Sequence, residues 1–244
     1  VKPLSALLWV AYGILVLVWT PLMALVFLAT APFDPARRIV GRFFRLAAVM
    51  AVKMNPLWRF RARGRLPDQR AYVVVSNHES YADIFLISHL PWEMKWLSKE
   101  AIFRIPLMGW MMRMAGDVEV RRGDASSRAE ALDQIRDRLG KGVGVMIFPE
   151  GTRSPDGEML PFRDGAFRVA IEAGAPILPL AVAGTRGAMK KHSFLFQPAR
   201  AEVRVLEPVE TTGLSLRDLP ALRDRVRMRI ERARNALREE LAGR

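Results

Sequence analysis

The chain contains no cysteine among its 244 residues, which excludes disulfide bridges, thiolate metal sites and a cysteine acyl-enzyme together. Such a composition suits a reducing compartment. Histidine is scarce, with three copies, and acidic residues are outnumbered, Asp+Glu 25 against Lys+Arg 38, for a formal charge of +13. A cationic excess of that size attracts something acidic, and nucleic acid, anionic lipid and a phosphorylated substrate all qualify. The marks of a nucleic-acid reader are missing: there is no zinc-ligand spacing, no aromatic-and-basic recognition strand and no basic helix without a membrane alternative. Internal repeats and low-complexity linkers are absent as well. With half its residues apolar, a chain of this length suits one large domain, or one domain plus an accessory segment.

Charge is missing altogether from residues 4–31. At about 1.5 Å per residue a helix over that run exceeds the roughly 30 Å hydrocarbon thickness of a bilayer, so the segment suits lipid. Pro21 divides it, which permits a kinked span or two shorter pieces that dip in and return. Ala29-Thr30-Ala31 imitates a signal-peptide cleavage site, but the apolar run is too long for a signal peptide and Pro32 follows it. Residues 39–58 mix Phe43, Phe44, Leu46, Met50, Val52 and Met54 with Arg42, Arg45 and Lys53, the composition of an amphipathic interfacial helix. These segments predict a two-helix membrane anchor over residues 1–57, ahead of a folded domain over residues 58–244. Lys2 precedes the apolar run while Arg37, Arg38, Arg42 and Arg45 follow it, so the positive-inside bias puts the remaining chain on the cytoplasmic side.

In that remainder, the alternation over residues 58–63 predicts an edge strand. Short apolar runs predict strands over 72–76, 94–97, 117–120, 143–148, 177–182 and 201–206, with Pro179 implying a bulge or an edge position in the fifth of these. Helices are predicted over 82–90, 107–114 and 164–173, and another running to Leu139 is capped by Ser126 or Ser127, with Ala129, Leu132, Ile135 and Leu139 on its apolar side. The methionine-rich helix over 107–114 reads as core filler, with an acyl-chain surface as the alternative. Leu219, Leu222, Val226, Ile230, Ala233, Leu237 and Leu241 recur at steps of three and four, giving a final amphipathic helix that packs on the body or touches the membrane surface. Strands alternating with helices define an α/β fold with a mixed, largely parallel sheet flanked by helices.

Functional groups in such sheets collect beyond the carboxyl ends of strands, and three stretches lie there. Ser76-Asn77-His78-Glu79-Ser80-Tyr81-Ala82-Asp83 follows the first buried strand. An imidazole in this position serves as a general base, with the carboxylate fixing its tautomer and stabilising the imidazolium. Residues five apart on an uninterrupted helix diverge by roughly 140°, so His78 and Asp83 meet only if the histidine occupies the turn before the helix. Ser80 and Asp83 also fit a capping box, in which Asp83 does no more than satisfy helix amides. Arg121-Arg122 follows the fourth strand of the chain, and Glu150-Gly151-Thr152-Arg153 the fifth. There a turn at Gly151 exposes amides, Thr152 adds a hydroxyl, Arg153 offers a planar fork for phosphate, and Glu150 accepts from a substrate hydroxyl or pairs locally with Arg153.

Asn77-His78, four residues and Asp83; Gly116-Asp117-Val118-Glu119-Val120-Arg121-Arg122; Phe148-Pro149-Glu150-Gly151-Thr152-Arg153-Ser154; and Ile177-Leu178-Pro179-Leu180 resemble the four ordered blocks of the glycerophospholipid acyltransferase family. The resemblance covers roughly residues 55–210, and the N-terminal segment is similar to the two-helix anchor of bacterial members. It implies that His78 is the base and Asp83 its partner, that Arg122, Glu150, Gly151 and Arg153 hold the phosphate and glycerol of the acceptor, and that the fourth block, with Pro179, serves the acyl donor. Asn77, Lys99, Thr152 and Arg163 complete the candidate substrate contacts. Two departures stand out: Arg121 replaces a residue that is commonly acidic, leaving the acceptor head group open, and Phe162-Arg163-Asp164-Gly165 replaces a Phe-Lys-x-Gly pattern, with Arg163 supplying the cation.

The implied reaction moves an acyl chain from acyl-CoA or acyl carrier protein to the free hydroxyl of lysophosphatidic acid. It implies no metal and no cofactor, and a location at the cytoplasmic face of a bacterial inner membrane. Acylation of another lyso-lipid such as a lyso-ornithine lipid, hydrolysis of the thioester, and silent binding of lipid are the alternatives.

Overall fold

The computed structural model describes residues 1–121, 123–189 and 193–243. Its centre is a seven-stranded sheet of β1 (Trp58–Arg63), β2 (Val73–Ser76), β3 (Met94–Lys99), β4 (Val118–Val120), β5 (Gly144–Ile147), β6 (Ile177–Ala183) and β7 (Ala199–Val205), in the order β1-β7-β6-β2-β5-β3-β4. Among the described residues only β6 and β7 pair antiparallel; every other neighbouring pair is parallel. The sequences fit these places. β2 and β6 are buried along their whole length and read as continuous apolar runs, as central parallel strands must. β1, with its alternation of aromatic or small residues and arginine, lies on the edge as expected.

Pro179 lies inside a central strand, paired with Val75 of β2, rather than on an edge. Its tolerance comes from a register slip on the other side: Leu180 pairs with Val205 and Ile177 bridges Val209, so Leu178 and Pro179 stand against Leu206, Glu207 and Pro208. This is the expected bulge, and the missing N–H falls where the β7 ladder has already ended.

Helices α1 (Lys2–Thr30) and α2 (Arg38–Met54) precede the sheet; α3 (Ala82–Ile87), α4 (Glu100–Phe103), α5 (Met108–Ala115), α6 (Ala125–Gly140), α7 (Gly165–Glu172) and α8 (Leu219–Ala242) follow its strands. One face of the sheet packs on Ile135 of α6, Phe167 of α7, and Val226 and Ile230 of α8. Leu86 and Ile87 of α3 cover the other. The final helix thus uses its apolar stripe on the body. In α6 the cap is Asp124, which accepts from Ser127 N at 3.1 Å, and neither serine takes that place; Ala129 is exposed and Ala131 joins Ile135 and Leu139 on the buried side. Met111 and Met112 of α5 are buried core residues, whereas Trp110 is exposed.

The N-terminal region differs from a pair of membrane helices. α1 runs unbroken through Pro21 and alone among the described residues is long and apolar enough to cross a membrane. α2 is a shorter amphipathic helix that buries Val40, Phe44, Ala51 and Val52. Arg45, expected on its polar side, is buried in an ion pair with Asp117, a carboxylate that also accepts from Trp96 N at 3.0 Å. Both helices share apolar clusters with the body: Leu8 and Tyr12 pack with Val52, Trp58, Ala82 and Phe196, and Met23 packs with Phe44, Phe103 and Met111. The opposite side of α1 exposes Leu7, Val10, Ile14, Leu17, Leu25 and Leu28.

Candidate active site

The carboxyl ends of the parallel neighbours β2, β5 and β6 meet beside the N-terminus of α3. Buried Asn77, the first residue after β2, uses both ends of its amide on Val182 of β6, accepting from its N–H and donating to its C=O at 2.9 Å each. The side chain is thereby a strap between strands. It holds the turn so that His78 N–H donates to Glu150 Oε1 at 2.7 Å and His78 C=O accepts from Ser154 N at 3.0 Å. The imidazole stacks on Phe148, with ring centroids 3.9 Å apart.

Because α3 begins at Ala82, His78 occupies the preceding turn and the five-residue spacing closes. His78 Nδ1 and Asp83 Oδ2 are 2.7 Å apart. A carboxylate oxygen accepts, so Nδ1 carries the proton and Nε2 keeps its lone pair, the state a general base needs. The ring is partly open to solvent while the Asp83 side chain is fully buried. Asp83 Oδ2 also accepts from Glu79 N at 2.8 Å and Ser80 N at 2.9 Å, and Oδ1 accepts from the Thr185 hydroxyl. One carboxylate therefore does both jobs that its sequence position allows, holding the turn amides and facing the imidazole. Ser80 turns its hydroxyl to Met189 O at 3.1 Å, and Tyr81 rather than Ser80 is the N-cap.

Glu150 does not lie at the surface of this site. It is buried, with Oε1 on His78 N–H and Oε2 on Leu160 N–H at 2.9 Å. Burial pushes its carboxyl above the ordinary range, against the lowering influence of those two donors. Glu150 supports the histidine from behind. Gly151 has φ +70°, and a Cβ there would come within 2.9 Å of Arg163 Nε, so glycine lets that guanidinium lie against the loop. The Gly151 amide turns inward to Phe148 O at 3.0 Å instead of facing a ligand. Thr152 and Arg163 are exposed. The Arg153 guanidinium carbon sits 3.8 Å from the centre of the Tyr81 ring, so its planar face is held by an aromatic platform at the start of α3.

Lys99 ends β3, in register with Val120 of β4. Arg122 lies outside the described residues. Arg121 is engaged by Asp124 at 3.2 Å and Glu100 at 3.6 Å. Pro179 is inside β6, short of the strand end that faces His78. Site residues to which motif reading gives no role are Phe148 and Tyr81, aromatic residues inside the quoted stretches, and Thr185, for which no local pattern gives a signal.

Glu79 was also passed over. It is buried beside the dyad and accepts from Arg238 of α8 at 2.9 Å. Burial first, then the negative charge of Asp83, push its carboxyl up to about 7 from 4.5, with Arg238 opposing. Above the unfolded-state value the folded protein retains a proton that the unfolded chain has lost, so this site's contribution to stability falls as pH rises through that interval. Glu79→Gln removes the titration. Relative to the variant, the parent is expected to lose on the order of 2–3 kcal/mol between about pH 5 and about pH 8. Denaturant melts of both proteins across that range check this; a parent-minus-variant difference that stays flat would contradict it.

The family profile described as Acyltransferase matches residues 58–183. The chain is 38% identical over 160 residues to a 1-acyl-sn-glycerol-3-phosphate acyltransferase of Chlamydomonas reinhardtii, covering 64% of this chain and 48% of that protein. It is 39% identical over 157 residues to a chloroplastic enzyme of the same name from Arabidopsis thaliana, covering 63% of this chain and 44% of that one. It is 38% identical over 191 residues to the human 1-acyl-sn-glycerol-3-phosphate acyltransferase alpha, covering 75% and 67%. The chain thus spans about half the length of the algal and plant relatives it matches. Among solved structures, the crystal structure of the 1-acyl-sn-glycerophosphate acyltransferase PlsC from Thermotoga maritima superposes with a TM-score of 0.79 at 28% identity, covering 100% of this chain and 98% of that one. The matched residues run from β1 to the end of β6 and contain His78, Asp83, Glu150, Arg153 and Arg163, and the chain belongs to the acyltransferase family.

Proposed function

We propose that the chain transfers a fatty acyl group from a thioester to the free hydroxyl of lysophosphatidic acid, giving phosphatidic acid. The observation that carries this reading is the 2.7 Å contact of His78 Nδ1 with Asp83, which leaves Nε2 as a base at the mouth of a strand-end site. His78 Nε2 takes the hydroxyl proton as the oxygen attacks the thioester carbonyl, and Asp83 stabilises the imidazolium. As the tetrahedral intermediate collapses, the C–S bond breaks and the imidazolium returns the proton to the departing thiolate. No covalent enzyme intermediate is needed. Arg153, steadied on Tyr81, and Arg163 beside Gly151 offer planar guanidinium donors to the acceptor's phosphate, which brings the hydroxyl to the base as an effectively intramolecular partner. Arg121, the departure that leaves the head group open, is already paired with two carboxylates, so Arg153 and Arg163 rather than Arg121 carry the phosphate contact in this reading.

The outward side of α1, from Leu7 to Leu28, supports a bilayer partner for the chain, with the body on the cytoplasmic face. Either acyl-CoA or acyl carrier protein supplies the thioester. The test is mass spectrometry of products from the purified protein given both donors and a panel of lyso-lipids that includes lysophosphatidic acid and a lyso-ornithine lipid. Phosphatidic acid is the expected product; free fatty acid formed at the same rate without any lyso-lipid would replace transfer by hydrolysis.

Tyr81 gives a sharper expectation for the acceptor. Tyr81→Ala releases the Arg153 guanidinium and is expected to raise KM for lysophosphatidic acid about threefold to tenfold, with kcat within about twofold, the size of one cation–π contact. Tyr81→Phe keeps the ring and should keep the affinity. A kcat loss with unchanged KM in Tyr81→Ala would separate Arg153 from the phosphate.

A further inference from the structure

Asp83 is fully buried, and its two oxygens are unequally served. Oδ2 takes three donors, from His78 Nδ1, Glu79 N and Ser80 N. Among the described residues Oδ1 takes one, the hydroxyl of Thr185, which is itself fully buried. That hydroxyl comes from a different part of the chain, the turn after β6, and the fold fixes its position closely. Gly184 adopts φ +90°, and a Cβ there would stand 2.1 Å from Arg200 O, so only glycine lets the chain turn against β7 and deliver Thr185 beneath the motif. Thr185 C=O accepts from Ala188 N at 2.9 Å, closing the turn, and Ser80 Oγ donates to Met189 O at 3.1 Å, tying its far end back to the motif.

We infer that Thr185 is a positioning residue of the dyad: its hydroxyl holds Asp83 Oδ1 so that Oδ2 stays aimed at His78 Nδ1 and the carboxylate stays charged when the imidazolium forms. A buried carboxylate oxygen with no donor carries its full desolvation cost. Bonds to the charged form favour that form, and the imidazolium that needs a charged partner exists only along the reaction path. Thr185 touches neither the imidazole nor, in this reading, any substrate. Its removal should therefore lower kcat and leave substrate binding alone.

The inference rests on the acyl-transfer reading, and steady-state kinetics on Thr185→Val and Thr185→Ser beside the parent separate the two. Thr185→Val keeps the shape and removes the donor. It is expected to lower kcat per folded molecule about tenfold or more, the lower end for a hydrogen bond to a charged group, with KM for both substrates within about twofold. Thr185→Ser restores the donor and should recover kcat to within about threefold of the parent. Should Thr185→Val fail to fold, Thr185→Ala replaces it, and the serine variant is read in either case. A valine or alanine variant with parental kcat, or a serine variant as slow as valine, would overturn the assignment while an active parent left the acyl-transfer reading standing. A parent inactive with every thioester and lyso-lipid would remove both.

Discussion

Replacing His78 by alanine is expected to lower acyl transfer by about a thousandfold or more, the scale on which removal of a catalytic base acts, while the protein stays folded and bound to membranes. The reason lies in how the residue is held. Its backbone N–H and C=O are fixed by Glu150 Oε1 and Ser154 N, bonds to main-chain atoms that alanine keeps. Removing the imidazole takes one of three donors from Asp83 Oδ2 and leaves the Glu79 and Ser80 amides in place, so the turn persists. The ring is partly open to solvent, so the loss of its stacking on Phe148 is expected to cost about 1 kcal/mol of stability. Rates of phosphatidic acid formation, far-ultraviolet melting and sedimentation with anionic liposomes measure the three quantities on one preparation. Transfer within about tenfold of the parent would mean that another group removes the hydroxyl proton. Loss of liposome binding together with activity would mean instead that the variant had lost its fold.

Which parts of this site were legible in the sequence follows from how local each interaction is. His78 and Asp83 are five residues apart, and the requirement that the histidine stand before the helix is a matter of helical pitch, so their contact could be read directly. The strand ends were legible for a similar reason: β2, β5 and β6 are short apolar runs bounded by turn residues. Thr185 was not, because its partner Asp83 lies 102 residues earlier in the chain and neither residue's neighbours point to the other. The burial of Arg45 was not legible either, because nothing in α2 reveals that Asp117, 72 residues later, supplies a buried counter-charge. The N-terminal anchor shows a related limit: of its two helices only α1 is long and apolar enough to cross a membrane. Val40, Phe44, Ala51 and Val52 of α2 are covered by α1 and the body, whereas Leu46, Met50 and Met54 stay exposed, and amphipathicity alone does not distinguish a protein partner from a bilayer. In α6, Asp124 outcompeted the serines because its carboxylate reaches back to Ser127 N from the position just before the helix, where an N-cap belongs.

Glu150 is the residue whose role the structure changes most, and its replacement should show it. As a contact to a substrate hydroxyl, it would give a Glu150→Gln variant of parental stability whose only defect is a higher KM for the acceptor. Buried behind the site, with each oxygen on a different backbone N–H, it predicts something else. Glu150→Ala strands the His78 and Leu160 amides, each costing about 1–3 kcal/mol when buried without a partner, so a loss of about 2–6 kcal/mol is expected. Glutamine does not repair this, because its amide nitrogen would confront a second donor; it serves one N–H and opposes the other. Both variants should therefore melt earlier than the parent, with glutamine between the parent and alanine. Catalysis should suffer along with stability, since Glu150 Oε1 sets the backbone on which the imidazole is mounted. We expect kcat per folded molecule to fall about a hundredfold in Glu150→Ala, with KM for lysophosphatidic acid changed far less, as a base moved by a fraction of an ångström would produce. The decisive comparison is glutamine: unchanged melting with a raised acceptor KM would return Glu150 to the substrate, whereas lowered melting with a lowered kcat fixes it as the support on which His78 stands.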